Sequence, residues 1–258
     1  MVRKLHVKRA VGSHLGMNKF SPRIKPEEFK EWNEEMVKKY NPDAFHHHPN
    51  PAVRFIETKR VKTILKLIDV RYKGGRLLEV GCGAGNILEK APPGDLFGID
   101  ISGSILAKAR NKLSEKADLS QADAQNLPFK DRVFRQVICS EVLEHLLDPS
   151  ASLQEIARIL NQQGIAIISV PNELWINRIK RVLINLGIFD WLLRRGGEYG
   201  KMPERMEDEW HLHSLSIEKW LTLFNYFFRV VQVRRIPFSW LPLRYVIQLV
   251  KFDEKDHL

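Results

Sequence analysis

LLEVGCGAGN, residues 77–86, runs from a short apolar strand into three glycines at alternate positions, Gly81, Gly83 and Gly85. Missing side chains at that point leave backbone N–H groups open to a ligand where the next helix begins. A dinucleotide fingerprint would need G-x-G-x-x-G, but Asn86 occupies its last position, so a nicotinamide dinucleotide is disfavoured. Working outward, a short helix is expected over Ala84 to Lys90, a second strand over DLFGID (95–100), and a helix over Ser102 to Lys116 capped by Ser102. DLSQAD (118–123) and VFRQVICS (133–140) give strands three and four, the latter followed by a short helix over EVLEHLL. Asp148 then caps a helix with Pro149 at its first position and an apolar stripe of Leu153, Ile156, Ala157 and Leu160, leading to strand five, GIAIISV (164–170). Strands alternating with helices predict an α/β chain built on a doubly wound parallel sheet. An inserted cap is expected over 171–213, after which a helix from Ser216 to Tyr226 and two strand-like runs, FRVVQVRRI and RYVIQLVKF, close the sheet.

The remaining sequence divides into a basic arm (1–25), N-terminal helices forming a lid (26–72) and the sheet domain (73–258). PEEFKEWNEEMVKKY (26–40) carries Phe29, Trp32, Met36 and Val37 near one stripe, and Val53 to Val70 carries Val61, Ile64, Leu65 and Ile68 in helical register. Between them His46, His47 and His48 read as solvated loop residues rather than metal ligands. The chain has 258 residues, 44% hydrophobic and 28% charged, which excludes disorder and collagen-like repeats and allows one domain with additions. A formal charge of +10 favours anionic partners or a membrane surface, and two cysteines exclude a disulfide framework. No run approaches the ~20 apolar residues of a transmembrane helix. The expected setting is therefore cytoplasmic, with membrane contact, if any, peripheral at the inner face.

Asp100 closes strand two, 19 positions after Gly81, where a carboxylate can accept both hydroxyls of a ribose. Asp123 closes strand three, where a carboxylate can meet the amino group of an adenine. With these residues in place, the sequence resembles the class I S-adenosylmethionine-dependent methyltransferases over roughly 55–250. EVGCGAG resembles the family's first motif, GIDIS its ribose motif, DAQNLPF its adenine motif, CSEVLEHLLDP the segment beneath the methionine moiety, and SVPN the end of strand five. The resemblance implies a Rossmann-like sheet of seven strands with the last antiparallel, and S-adenosylmethionine as cofactor. It implies Glu79 and Gly81 at the methionine, with Gly83 and Gly85 completing the loop, Asp100 at the ribose, Ile101 on an adenine face, Asp123 and Ala124 at the adenine edge, and Ser140 at the sulfonium. Where the family commonly has Asp, this chain has Glu79, also a carboxylate.

A sulfonium donor is already activated, so catalysis is mostly alignment of a nucleophile with the methyl carbon, plus a base or metal where a hydroxyl must lose its proton. Glu141, Glu144 and His145 stand at i, i+3 and i+4, which on a helix puts two carboxylates and an imidazole on one face. Two readings stay open. The three, with His211 of EWHLHSLS as a fourth ligand, hold a divalent metal (Mg, Mn or Zn), or Glu144 and His145 line the pocket as catalytic groups without one. The segment is similar to that of ubiquinone-biosynthesis O-methyltransferases, which methylate a catechol bearing a polyprenyl tail, and to that of small-RNA 3′-terminal 2′-O-methyltransferases. The chain lacks the aromatic and basic sequence that follows the later His in the RNA enzymes.

In the cap, Trp175, Ile179, Val182, Leu183 and Leu186 form one stripe, with Arg178, Lys180, Arg181 and Asn185 elsewhere around the helix. It reads either as an interfacial helix admitting an apolar substrate from lipid or as a lid packed on the domain. Arg194 and Arg195 with Gly196 and Gly197 suggest a loop for an anionic group, or solvated charge. The expected function is O-methylation of a small hydroxylated apolar or lipid-linked acceptor. The alternatives are ribose 2′-O-methylation of RNA, although the basic residues form no aromatic-interleaved tract, and a donor-binding scaffold without catalysis.

Overall fold

Parallel strands covered on both faces must be apolar on both, and the strand leading into the glycine loop, β1 (Leu77–Val80), is buried at all four positions. The computed structural model describes residues 24–68, 75–187 and 210–252. β1 lies inside a seven-stranded sheet, next to its central strand, with β2 (Leu96–Asp100), β3 (Asp118–Gln121), β4 (Phe134–Ser140), β5 (Leu160–Pro171), β6 (Phe228–Pro237) and β7 (Pro242–Lys251), in the order β3-β2-β1-β4-β5-β7-β6. β1 to β5 pair in parallel, and β7 runs antiparallel to both β5 and β6. The strand order turns back between β1 and β4, which leaves a crevice at their carboxyl ends, the place where open α/β sheets bind ligands.

Among the described residues six helices cover the sheet: α1 (Phe29–Tyr40), α2 (Pro51–Leu67), α3 (Gly103–Leu113), α4 (Pro149–Ile159), α5 (Glu173–Asn185) and α6 (Ile217–Phe224). On one face Leu153, Ile156, Trp220, Leu223 and Phe224 pack against Leu78, Val80, Phe134 and Ile168. On the other, Val61, Ile64, Leu106 and Ala109 pack against Leu77, Leu96, Ile138 and Ile167. α2 therefore belongs to the sheet's own core, and the helices expected as a lid are partly wall. Asp148 caps α4 as anticipated, accepting from the N–H groups of Ser150 and Ala151 at 3.0 and 3.1 Å. Ser102 caps α3 through Ile105 N–H, and Glu34 of α1 reaches across to the same helix end. Glu34 accepts from the Ser102 and Ser104 hydroxyls at 2.6 and 2.7 Å and from Ser104 N–H at 3.1 Å, a carboxylate at the positive end of a helix.

Three local expectations are corrected. The helix expected over Ala84 to Lys90 is a run of turns ending in one 3-10 turn, Leu88–Lys90, because Gly81, Gly83 and Gly85 all take positive φ. EVLEHLL is likewise a single 3-10 turn, Leu143–His145. His48 is buried rather than solvated, accepting from Asn50 N–H at 3.0 Å. The basic arm apart from Ile24 and Lys25, and the loop with Arg194, Arg195, Gly196 and Gly197, lie outside the described residues. Among the described residues no helix is long and apolar enough to cross a membrane.

Candidate active site

A cavity of about 480 Å³ opens at the carboxyl ends of β1 and β4, roofed by α1 and walled by α2 and α5. Its first half is built on the glycine loop. Gly81 has φ of +68°, and a Cβ there would sit 2.3 Å from a Val142 methyl, so both the backbone and the packing require glycine. Asp100 at the end of β2 receives Gly83 N–H on one oxygen and Ser102 N–H on the other, each at 2.9 Å, which fixes its carboxylate edge-on to the crevice. Burial pushes its pKa up, against the two N–H groups. Asp123 is oriented by Gln125 N–H at 2.8 Å, and Ile101, Asp123 and Ala124 line the same end of the cavity.

Glu79 lies at the base of this half, 3% exposed, with one carboxylate oxygen that has no hydrogen-bond partner. Burial, only partly offset by Arg60, pushes its pKa up to about 8. A buried carboxylate oxygen with no donor is costly unless a cation completes it. Ser140 closes β4 beside it, hydrogen-bonded to the Ser169 hydroxyl at 2.9 Å and to Arg60 Nη1. The donor-side residues expected from sequence, Glu79, Gly81, Gly83, Asp100, Ile101, Asp123, Ala124 and Ser140, thus all line one cavity. Gly85 lies just behind it, packed on Leu113 and Ala109.

The second half contains a chain of buried charges that sequence reasoning missed. Glu57 Oε2 accepts from Arg60 Nη2 at 2.6 Å, Glu57 Oε1 lies 3.8 Å from Arg244 Nη2, and Arg244 Nε lies 2.6 Å from Glu141 Oε2. Burial raises the Glu57 pKa, but Arg60 and Arg244 outweigh it and hold it down to about 2. Glu57 and Arg60 stand three apart, which in sequence is indistinguishable from an exposed helical pair.

That chain also corrects the expected ligand set. Glu141 stands before the 3-10 turn with φ of +56°, and its carboxylate is turned away to Arg244 and to the Ser169 hydroxyl, which donates to it at 2.9 Å. One helical face for Glu141, Glu144 and His145 does not form, because one 3-10 turn is too short to carry all three. Glu144, His145 and His211 do come together, each offering one ligand atom within 4.8 Å of the others. The backbone explains how a residue 67 positions away arrives: Leu212 and His213 N–H donate to the Glu144 carbonyl at 2.8 and 3.1 Å. His213 itself is spent on the Leu146 carbonyl at 2.8 Å.

Glu144 is 1% exposed and neither of its side-chain oxygens has a hydrogen-bond partner. Burial, with Glu141 adding to it, holds its pKa well above the carboxylate range. Burial and the neighbouring His211 hold His145 well below the usual imidazole value. His145 Nδ1 meets the Trp210 carbonyl at 3.1 Å, and His211 Nδ1 meets the Glu173 carboxylate. Burial pushes Glu173 up, but that hydrogen bond and the charges around it prevail and keep it below its ordinary value. One carboxyl group and two imidazoles, each offering a ligand atom, fit a divalent cation of the Mg, Mn or Zn class by their chemistry.

Ile176, Ile179 and Leu183 of α5 face this half of the cavity opposite Val53, Ile56 and Leu243. Leu174 and Val182 of the same helix, and Leu186 just past its end, point outward, 68%, 52% and 64% exposed. The stripe read from sequence therefore splits, Ile179 and Leu183 walling the pocket and Val182 and Leu186 facing solvent. His46 also lines the cavity, and burial with the nearby Arg60 lowers its pKa to about 4.

Residues 78–168 match the methyltransferase domain family. The chain is 27% identical over 150 residues to a ubiquinone biosynthesis O-methyltransferase of Rhodopseudomonas palustris (strain TIE-1), covering 56% of this chain and 59% of that protein. It is 34% identical over 113 residues to a demethylmenaquinone methyltransferase of Staphylococcus aureus (strain JH9), covering 41% of this chain and 46% of that one. The chain spans about two fifths to three fifths of the length of the curated relatives it matches. Among solved structures it superposes on the N-methyltransferase NodS from Bradyrhizobium japonicum WM9 in complex with S-adenosyl-L-homocysteine, with TM-score 0.59 and 16% identity, covering 86% of this chain and 97% of that one.

Proposed function

We propose that this class I S-adenosylmethionine-dependent methyltransferase passes the donor's methyl group to a hydroxyl of a small acceptor with an apolar or lipid-linked body. The observation that carries the reading is the single cavity in which the orphaned Glu79 carboxylate and Asp100 stand at one end and Glu144, His145 and His211 at the other, between apolar walls. When bound, S-adenosylmethionine supplies an electrophilic methyl on a sulfonium whose leaving group is a neutral thioether.

In this reading Asp100 receives the ribose hydroxyls on the lone pairs its two backbone donors leave free, and Asp123 with Ala124 meets the adenine edge. Glu79 pairs with the methionine ammonium, which supplies the missing partner and restores the ionised form. Ser140, fixed by Ser169 and Arg60, forms the floor beneath the sulfonium. Ile56, Ile176, Ile179, Leu183 and Leu243 take the acceptor's apolar body and exclude water, which favours transfer to the acceptor over hydrolysis. Glu144, His145 and His211 face the nucleophilic hydroxyl, and one neutral imidazole of the pair takes its single proton as oxygen bonds to the methyl carbon and the thioether leaves. A divalent cation held by these three would supply Lewis acidity that lowers the hydroxyl's pKa.

The relatives named for quinone methylation support an acceptor of this class, and the outward Leu174, Val182 and Leu186 beside Arg178 and Arg181 support peripheral contact with an anionic bilayer. The test is transfer of radiolabelled methyl from S-adenosylmethionine into a native extract, counted in organic-soluble material and in aqueous polymer, with and without a chelator. Label in the organic phase is expected. Label confined to nuclease-sensitive polymer overturns the acceptor class, and full activity after exhaustive chelation removes the metal.

A further inference from the structure

Glu173 belongs to no expected motif, yet it is 3% exposed and reaches a ring nitrogen of His211, which is itself buried. Its backbone position is fixed by Asn172, whose side-chain amide donates to the Pro242 carbonyl at 2.8 Å and to the Tyr245 hydroxyl at 2.9 Å. A carboxylate only accepts, so the contact forces the proton of a neutral His211 onto Nδ1 and leaves Nε2 with a bare lone pair. The same logic applies to His145, because the Trp210 carbonyl beside its Nδ1 can also only accept. Neither Glu144 oxygen has a hydrogen-bond partner. Glu144, His145 and His211 each offer one ligand atom within 4.8 Å of the others, an arrangement that favours something electron-poor between them.

We infer that Glu173 is a positioning residue that locks His211 in the Nδ1–H tautomer, so that the inserted helix α5 completes the reactive cluster as well as walling the acceptor. Glu173 is in the first turn of the helix whose Ile176, Ile179 and Leu183 face the acceptor cavity. The acceptor's wall and the orientation of His211 are therefore set by one rigid element. The inference rests on the proposed reading of Glu144, His145 and His211 as the reaction side, and its test separates the two.

The experiment compares the wild-type chain with Glu173→Leu, Glu173→Gln and Glu173→Asp. Long-range proton–nitrogen NMR of histidine-labelled protein distinguishes a protonated from a lone-pair ring nitrogen. Calorimetry with Mn²⁺ reads the cluster, and calorimetry with S-adenosylhomocysteine reports the fold. Wild-type His211 is expected as Nδ1–H. Glu173→Leu moves the proton to Nε2, weakens Mn²⁺ roughly 10- to 100-fold and leaves S-adenosylhomocysteine affinity unchanged. Glu173→Asp restores the wild-type tautomer and part of the affinity. Glu173→Gln, whose amide can accept or donate, gives a mixture and serves as the readout if the leucine variant does not fold. A His211 spectrum unchanged in the leucine and glutamine variants overturns the inference. A wild-type chain that binds no Mn²⁺ while the variants still shift the tautomer sinks the metal and leaves the role of Glu173 standing.

Discussion

The two halves of the cavity are built on different plans. The donor half takes its polar groups from strand ends and the turns beside them, Glu79, Gly81, Asp100, Asp123 and Ser140; backbone N–H groups of those turns orient Asp100 and Asp123, while Ser169 and Arg60 hold Ser140. The acceptor half takes Glu57, Glu144, Glu173, His211 and Arg244 from five separate segments, joined by contacts between residues distant in sequence: Glu57 with Arg244, Glu173 with His211, and the Glu144 carbonyl with Leu212 and His213 N–H. A half built on the sheet tolerates change in its surroundings, whereas a half built on mutual contacts fails when one contact is lost.

The largest effect expected is Asp100→Ala. Two charge-assisted hydrogen bonds to the ribose are lost, each worth about 1.5–3 kcal/mol, so calorimetry should show S-adenosylhomocysteine affinity down at least about a hundredfold. Unchanged affinity would erase the distinction between the halves. Arg244→Met leaves Glu57 and Glu141 short of a buried cation and should lower unfolding free energy in urea by about 3–5 kcal/mol, breaking the acceptor half first. The same network gives a pH signature. Glu57 is held down to about 2, so its contribution is complete above the ordinary carboxylate range and is lost as pH falls through that range toward 2. Glu144→Gln should cut methyl transfer by roughly a hundredfold while donor affinity stays within about twofold, a split that assigns it to chemistry alone.

A smaller effect sharpens the donor side. Free Glu79 titrates near 8, and the methionine ammonium favours its ionised form, so S-adenosylhomocysteine affinity should rise between pH 6 and pH 8 by at most about tenfold per unit. Glu79→Gln should bind more weakly and with a flat profile over that range.

Legibility in the sequence followed the same division. The strands, the caps at Ser102 and Asp148 and the carboxylates at strand ends could be read because each rests on a short run of neighbours. The glycine triad was read correctly as a loop, but its consequence for 84–90 was not, since three positive φ values leave no room for a helical turn. E-x-x-E-H carries helical spacing, and only the fold shows that one 3-10 turn forms and that Arg244, 103 positions beyond Glu141, takes that carboxylate away. The pairing of Glu173 with His211 has no local signature at all. The place of Glu173 just past SVPN, the end of strand five, was the one available hint.

Glu34 closes the roof: it ties α1 to the first turn of α3, while Phe29, Asn33 and Val37 of α1 cover the cavity. Exchange of a nucleoside past that roof would require those bonds to loosen, which places Glu34 on an exit path for S-adenosylhomocysteine in the proposed reaction. Residence time, rather than affinity alone, then depends on Glu34. Glu34→Ala should release labelled S-adenosylhomocysteine severalfold faster in a pulse-chase, and in a chain whose chemistry is fast the same substitution would raise the rate per cycle even as it weakens the grip.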